Sequence, residues 1–197
     1  MLKTLCVATA ALGLVASAQA QTPTVQAGTY KLEPNHTQVF FGVNHLGFSN
    51  YYGSFSGASG SLTLDPAKPG ASKLDISVPV ASVYTPSEKL NGELKSAGWL
   101  GADAFPTMTF HSTSVTPTGP ASADVAGDLT LHGVTKPVVL KAKFHGAGAN
   151  PMSKAYTIGF DVTGAIKRSD FGVSTYVPMI SDNVDLIITA AFEKTPG

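Results

Sequence analysis

Short stretches in which apolar and polar residues alternate recur along most of the chain, separated by glycine and proline. In one of them Val138, Leu140 and Phe144 alternate with Lys141 and Lys143. A period of two puts alternate side chains on opposite faces of a β-strand. The pattern occurs at residues 37–43, 62–64, 74–80, 108–115, 125–131, 138–145, 156–163 and 184–193. About eight short strands with turn signals between them predict an all-β antiparallel sandwich or barrel.

Residues 131–134 (LHGV) lie between two of these stretches, where they predict a tight hairpin turn. Residues 87–100 (SEKLNGELKSAGWL) break the alternation. There Leu90, Leu94 and Trp99 fall near helical spacing, and the leading serine can cap a helix. The Asn-Gly pair inside the segment weakens a helix. The segment therefore predicts a short or broken helix in a crossover between strands.

The first 20 residues have the pattern of a cleavable secretory signal. Lys3 is followed by an apolar run over residues 5–15, and the segment ends on Ala-Gln-Ala at residues 18–20. The apolar run is shorter than the roughly 20 residues that a transmembrane helix needs. We therefore expect residues 1–20 to be removed and residues 21–197 to form a single exported domain.

The mature chain would contain no cysteine, because Cys6 is the only one. Its stability must then come from a hydrophobic core rather than from disulfides. Without Lys3 the chain has 12 basic and 13 acidic residues and no basic stripe. This balance argues against nucleic acid as a partner.

The sequence contains no motif that indicates catalysis. There is no G-x-S-x-G elbow, no H-E-x-x-H pair, no phosphate loop and no dinucleotide-binding motif. The histidines are not spaced for a metal site on one strand or helix; they are His36, His45, His111, His132 and His145. We expect a protein that is not an enzyme and that holds neither a metal nor a cofactor.

Aromatic residues are concentrated in the first half of the mature chain, between Phe40 and Phe110. They are compatible with an ordinary core and with a lined cavity. An eight-stranded barrel is just wide enough either to fill itself with side chains or to hold one small ligand. Composition alone leaves both possibilities open.

Five segments in the same order resemble the YceI family of periplasmic polyisoprenoid-binding proteins. The strongest is GDLTLHGVTKPVVL at residues 127–140. The others are residues 30–55, which include His-Leu-Gly at 45–47, residues 94–110, the IKRSDFG of residues 166–172, and the NVDL of the last strand. Together they span nearly the whole mature chain.

The resemblance implies a lipocalin-like eight-stranded antiparallel barrel with a helix in a crossover segment. It also implies an apolar pocket for a long lipid such as a polyprenyl quinone or a prenyl phosphate, a periplasmic location and no enzymatic activity. Transient membrane contact and a monomeric or homodimeric state are compatible with such a protein. Two alternatives remain: a binder of fatty acids or fatty amides, and an accessory module of a membrane redox or stress-response system with a filled interior.

The segment 82–100 departs from the family pattern, which has more polar and charged residues there. Gly98, for example, stands where the family usually has an acidic residue. We therefore expect an apolar ligand more firmly than any particular head group. The residues predicted to line the pocket, including three from the crossover at its mouth, are Phe41, Val43, Phe55, Ile76, Val78, Leu90, Leu94, Trp99, Phe110, Leu131, Phe144, Ile158, Phe160 and Ile188.

Overall fold

The computed structural model describes residues 25–196, and the expected signal segment lies outside them. It contains ten strands: β1 (Gly28–Leu32), β2 (Gln38–His45), β3 (Ser49–Phe55), β4 (Ser59–Leu64), β5 (Lys73–Pro79), β6 (Thr107–Gly119), β7 (Ser122–Leu131), β8 (Val134–Ala149), β9 (Tyr156–Lys167) and β10 (Asn183–Lys194). One α-helix, α1, spans Glu88–Lys95. Within these residues no helix is long and apolar enough to cross a bilayer.

Eight strands close into an antiparallel barrel. The order around the ring is β1-β4-β5-β6-β7-β8-β9-β10, and β10 returns to β1. The predicted eight-stranded barrel is therefore confirmed. Closure leaves the eight strands of the ring without a free edge, whereas the other side of β3 is paired only through the bridge from Ser54 to Tyr84.

Next to β10, two neighbouring positions of the barrel wall are each occupied by two strands: β1 and β2 at the first position, β4 and β3 at the second. β10 pairs with β1 through residues 192–194 and with β2 through residues 185–189, so β1 and β2 lie along the same edge. On the side away from β10, β3 pairs with β2 and β4 pairs with β1. The hairpin β2–β3 thus extends the wall at one end of the barrel only.

Residues 80–106 cross that same end, which we call the crossover end. Tyr84 pairs with Ser54 of β3 through two backbone hydrogen bonds of 2.9 Å. Ser87 caps α1 by accepting a hydrogen bond of 3.3 Å from the amide of Leu90, as its position predicts. The helix ends at residue 95, before Trp99, so that residue reaches the barrel from the turn after the helix. Asn91 fixes the start of the crossover by bonding both backbone groups of Thr85.

The predicted hairpin turn joins β7 to β8. His132 and Gly133 have positive φ angles of 52° and 73°, the combination of a type I′ turn. His132 also bonds the carbonyl oxygen of Phe171 at 3.1 Å, and its ring packs on Phe105 with 4.7 Å between centroids. This histidine therefore holds the turn against the loop after β9.

The opposite end of the barrel, which carries the chain termini, is partly filled by side chains. We call it the terminal end. Its fully packed residues form one cluster of Tyr30, Leu32, Ala58, Leu62, Val78, Ile158 and Phe192. Tyr30 and Ile158 have no exposed surface at all. This cluster is the main solid core of the molecule.

Candidate functional site

A cavity of about 800 Å³ occupies the interior of the barrel. It is lined by Leu90, Trp99 and Tyr176 at the crossover end and by Pro69, Ser72 and Ser122 at the terminal end. It therefore runs past the solid core along most of the barrel. Its volume falls within the range of pockets that bury drug-sized and lipid-sized ligands.

The alternation of the strands explains why the wall is apolar. On β8, Val138, Leu140, Ala142 and Phe144 line the cavity, and the lysines between them are exposed. The inward residues are only half-buried, although they point away from solvent. In a filled barrel they would be covered by one another, so their partial exposure reflects the cavity that they face.

Three aromatic rings cross the wall from β8 to β10. Phe144 and Phe160 lie 5.9 Å apart between centroids, and Phe160 and Phe192 lie 6.2 Å apart. Both pairs are T-shaped, a preferred geometry for aromatic rings. Phe41 and Phe55 form a further tilted pair at 5.5 Å on β2 and β3. These rings give the cavity a rigid lining.

Thirteen of the fourteen predicted residues lie on the cavity wall. They are Phe41, Val43, Phe55, Ile76, Val78, Leu90, Leu94, Trp99, Phe110, Leu131, Phe144, Phe160 and Ile188. Ile158 does not lie there: it points inward from β9, but Tyr30, Leu32 and Phe192 of the core cluster cover it completely. Contact of any of these residues with a ligand remains a prediction.

The sequence analysis missed further wall residues on the same strands. Val138, Leu140 and Leu186 share a face with predicted residues of β8 and β10. The alternation that identified Phe144 and Ile188 could have identified them as well. Arg168 also lines the cavity, where it continues the inward series of Phe160, Val162 and Ile166. The alternation could have placed it there, although a charged residue is not expected on an apolar wall.

Arg168 is the most unusual group on the wall, because it is a cation with only 5% of its surface exposed. Its guanidinium donates four hydrogen bonds of 2.9–3.0 Å to backbone carbonyls at residues 173, 175, 180 and 181. It lies 5.5 Å from the ring centroid of Trp99, a distance that allows cation–π attraction. Burial lowers the pKa of Arg168, and the nearby Asp182 carboxylate raises it. The side chain acts as the brace of the loop 168–182.

The two ends of this loop are joined by a second set of hydrogen bonds. Asp182 accepts bonds of 2.9 and 2.8 Å from the amide and hydroxyl of Ser169. These bonds lower the pKa of Asp182; slight burial raises it, and the charges of Arg168 and Lys167 lower it further. The loop is also tied to the crossover, because Thr175 donates a bond of 2.6 Å to the carbonyl oxygen of Gly98.

Polar groups on the wall are few and lie mostly near the two ends. At the crossover end His45, Tyr51, Glu93 and Tyr176 line the cavity. At the terminal end Ser72 does so, and its buried hydroxyl oxygen has no hydrogen-bond partner within residues 25–196. A ligand that fits this wall is therefore apolar along its length and polar only at its tips.

Three of the remaining histidines lie on the outside of the molecule. His36, His111 and His145 bond Glu33, Asp75 and Asp161 respectively. The pair of His36 and Glu33 is local in sequence, and the other two pairs join neighbouring strands. Across residues 25–196, no three side chains of the His, Cys, Asp and Glu types come together as a metal site would require.

Comparison with known proteins gives concordant matches in sequence and structure. Residues 30–192 match the family described as the YceI-like domain. A curated UPF0312 protein of Pseudomonas fluorescens is 43% identical over 172 residues, which cover 84% of this chain and 86% of the relative.

Two solved structures share the fold. The crystal structure of Burkholderia cenocepacia BcnA has a TM-score of 0.74 at 24% identity, and the match covers 81% of this chain and 98% of BcnA. A polyisoprenoid binding domain from Saccharophagus degradans has a TM-score of 0.66 at 15% identity, covering 86% of this chain and all of that domain.

Proposed function

The chain belongs to the YceI-like domain family, and from that premise we propose that it binds a long-chain polyisoprenoid lipid in its barrel and carries or stores it in the periplasm without a chemical step. The observation that carries the proposal is the cavity of about 800 Å³ with its apolar wall. The structural similarity to a polyisoprenoid binding domain supports the ligand class. The signal-like pattern of residues 1–20 supports the location.

The size of the cavity matches a chain of limited length. A water-sized group occupies roughly 30 Å³ in the liquid, and we take the same volume for one carbon with its hydrogens. The cavity of about 800 Å³ then holds about 25 carbons, or about five isoprenoid units. A longer polyprenyl chain, such as a quinone tail, would extend beyond the wall at one end.

The affinity for such a chain need not depend on polar contacts. Burial of each CH₂-sized group contributes about 0.8 kcal/mol, so about 25 carbons would contribute about 20 kcal/mol before association costs. This already exceeds the practical limit of roughly 18 kcal/mol for non-covalent binding. Head-group contacts would therefore decide which lipid is selected rather than whether a lipid is held.

The few polar groups at the crossover end favour a neutral or weakly polar head group. The buried cation of Arg168 already donates to four carbonyl oxygens, which leaves it little capacity to pair with a phosphate. A polyprenyl quinone or alcohol fits this wall better than a prenyl phosphate. Fatty acids and fatty amides would fit the same cavity with part of its volume unused.

The proposal is tested by extracting the purified protein with organic solvent and identifying the lipid by mass spectrometry. Two adjacent residues of β10 provide matched variants. Ile188 lines the cavity, whereas Ile187 is 48% exposed on the outer surface. We expect Ile188→Asp to lose the lipid and Ile187→Asp to keep it.

Recovery of fatty acids or fatty amides alone would favour that alternative ligand class. Trp99, the only tryptophan, lies on the cavity wall and reports binding through its fluorescence. If a prenyl alcohol such as geranylgeraniol produces no saturable change in this fluorescence, and no lipid co-purifies, the proposed function is wrong.

A further inference from the structure

The crossover end presents large apolar side chains to solvent. Phe48 is 89% exposed, Met179 58%, Tyr176 54% and Leu46 46%. We call these four residues the apolar tip. Leu46 and Phe48 belong to the turn between β2 and β3, and the other two belong to the loop 168–182. Single exposed apolar residues are common on protein surfaces, but a contiguous group of them marks an interaction surface.

The two loops form one surface. The amide of Leu46 donates a hydrogen bond of 2.9 Å to the carbonyl oxygen of Met179, and His45 pairs with Ile180 as an isolated β-bridge. The amide of Ser181 donates another bond of 2.9 Å to the carbonyl oxygen of Asn44. The turn and the loop are therefore held side by side by backbone hydrogen bonds.

The backbone at the tip is strained in order to present these residues. Leu46 and Tyr176 have φ angles of 58° and 60°, in the left-handed region. Asn and Gly are preferred there, since a side chain with Cβ is disfavoured. Two of the four non-glycine residues with positive φ within the described chain are thus exposed apolar residues of the tip. Each of the two therefore occupies a backbone position that glycine or asparagine would adopt with less strain.

The surroundings of the tip contain no charged residue in sequence. Residues 34–64 and residues 171–181 carry no Asp, Glu, Lys or Arg, although 13% of the chain is charged. The terminal end differs, because Asp65, Lys68, Lys154 and Lys194 lie in or beside its loops. The turn and the loop therefore offer a surface that can leave water without desolvating ionised side chains of their own, whereas α1 at the same end exposes Glu88, Lys89 and Glu93.

The tip is continuous with the cavity. Tyr176 belongs to both, and the cavity also reaches His45 and Ile180, the neighbours of Leu46 and Met179. The ring of Tyr176 packs on Trp99 with 6.1 Å between centroids. An apolar phase that covered the tip would therefore meet the interior of the barrel at its crossover end.

We propose that the apolar tip is a docking surface for a lipid bilayer and that the polyisoprenoid passes between the bilayer and the cavity at the crossover end. This inference rests on the proposed function. Aromatic and apolar side chains on an uncharged surface suit the membrane interface. Because residues 34–64 and 171–181 carry no cation, we expect docking through the tip to need no anionic lipid and to depend little on salt.

The bilayer is a better occupant than another protein for a thermodynamic reason. A lipid tail in a bilayer is already in an apolar phase, so its transfer into the cavity gains little free energy. Passage through water would cost about the whole burial free energy of the chain. A carrier that touches the membrane at the end where the chain enters its cavity avoids that barrier.

The test is flotation with vesicles of pure phosphatidylcholine, using the full mature chain. Met152 provides a matched control, because it is 87% exposed in the loop between β8 and β9 at the terminal end. We expect the double variant Phe48→Ser/Met179→Ser to bind vesicles at least about tenfold more weakly than the unmodified protein. Met152→Ser should bind within about twofold of it, and raising the salt from 50 to 500 mM should change binding by less than about twofold.

Binding of the double variant equal to that of the unmodified protein would overturn the proposal. So would the absence of binding by the unmodified protein, or binding that requires anionic lipid and disappears in salt. Titration of the same proteins with geranylgeraniol, followed by Trp99 fluorescence, separates the two proposals. If geranylgeraniol binds saturably but the double substitution does not weaken vesicle binding, the docking proposal alone is wrong. If the protein docks on vesicles but does not bind geranylgeraniol saturably, the proposed polyisoprenoid function alone is wrong.

Discussion

Arg168 and Trp99, the only arginine and the only tryptophan of the chain, meet at the crossover end of the cavity. The arginine bonds four carbonyls and no carboxylate. Such a side chain satisfies the polar backbone of a loop that has no regular hydrogen-bonding partners of its own. The free-energy cost of burying its charge is offset, because a hydrogen bond from an ionised donor is stronger than one from a neutral donor.

Replacement of Arg168 by Met should destabilise the protein by about 2–3 kcal/mol, because several buried carbonyl groups would lose their donors. Arg168→Lys should have an intermediate effect, since a point charge cannot span four acceptors. Lys167→Met removes a charge from the exposed neighbouring residue and should change stability by less than about 0.5 kcal/mol. Urea denaturation followed by Trp99 fluorescence measures all three. Equal effects of the Arg168 and Lys167 substitutions to Met would show that the brace is unimportant.

Asp182 should make the loop sensitive to acid. Its pKa is lower in the folded protein than in the unfolded chain, so its ionised form stabilises the fold above the unfolded value of about 3.9. That contribution is lost as the pH falls through the folded pKa. Asp182→Asn should therefore be less stable than the unmodified protein at pH 7, and the difference should shrink below about pH 4.

Urea midpoints of the two proteins at pH 7, 5 and 3 measure this difference. Glu33 also has a lowered pKa, because hydrogen bonds from Asn35 and His36 outweigh the opposing effect of burial. Glu33 is present in both proteins, so its contribution to the pH dependence of stability cancels in the comparison. A difference that stays constant across the three pH values would mean that ionisation of Asp182 does not stabilise the loop.

At the scale of elements, the seam between β4 and β5 depends on a close approach of two backbones. Gly60 has a φ of 150°, and a Cβ there would lie 2.0 Å from the carbonyl oxygen of Asp75. Gly60→Ala should therefore force the strands apart and cost about 2–3 kcal/mol. Gly148→Ala in β8 is the control, because nothing lies within 4 Å of its Cβ position. Thermal unfolding that leaves the Gly60 variant as stable as the control would contradict this account of the seam.

The alternation of the sequence predicted most elements of the barrel, but it missed two of them. Residues 138–145 and 184–193 alternate clearly, and they form parts of the long strands β8 and β10. β1 and β3 were not predicted, since GTYKL and SNYYGSF have few apolar residues in regular alternation. Their pairing is decided by the partners β10, β4 and β2 rather than by their own pattern.

The faces of the predicted site residues followed from the same alternation, because one strand register fixes all inward positions together. What the sequence could not show was where the interior is filled. Ile158 has the same inward direction as Phe160, but it is packed within the core cluster, whereas Phe160 faces the cavity. The role of Arg168 depends on a loop whose conformation has no period, and it was likewise beyond prediction from the pattern.

At the scale of the whole molecule, the two ends of the barrel differ in the elements and side chains that they contain. The terminal end contains the solid core and charged loops, whereas the crossover end contains the helix, the braced loop and the apolar tip. Buried side chains nevertheless lie at both ends, because Val80, Thr85 and Phe171 of the crossover end are covered almost as completely as Tyr30 and Ile158 of the terminal end. The apolar tip therefore lies on packed side chains.

The cavity volume leads to a prediction about ligand length. Prenyl alcohols of 15, 20 and 25 carbons should bind progressively more tightly, because each added unit buries more apolar surface. Beyond about 25 carbons the cavity of about 800 Å³ is full. Further units should then add little, since they remain outside the wall. Thermal stabilisation at equal free ligand concentration should follow the same plateau.

Ile188→Asp is the control for this series, because it places a charge on the cavity wall. Its melting temperature should not respond to any chain length. A response of the unmodified protein that continues to grow well past 25 carbons would mean that the chain passes through both ends of the barrel. A decline beyond 25 carbons would instead require that both ends close over the ligand. A plateau would show that one end closes on the chain while the other lets the surplus units out, and vesicle docking at the crossover end would identify the open one.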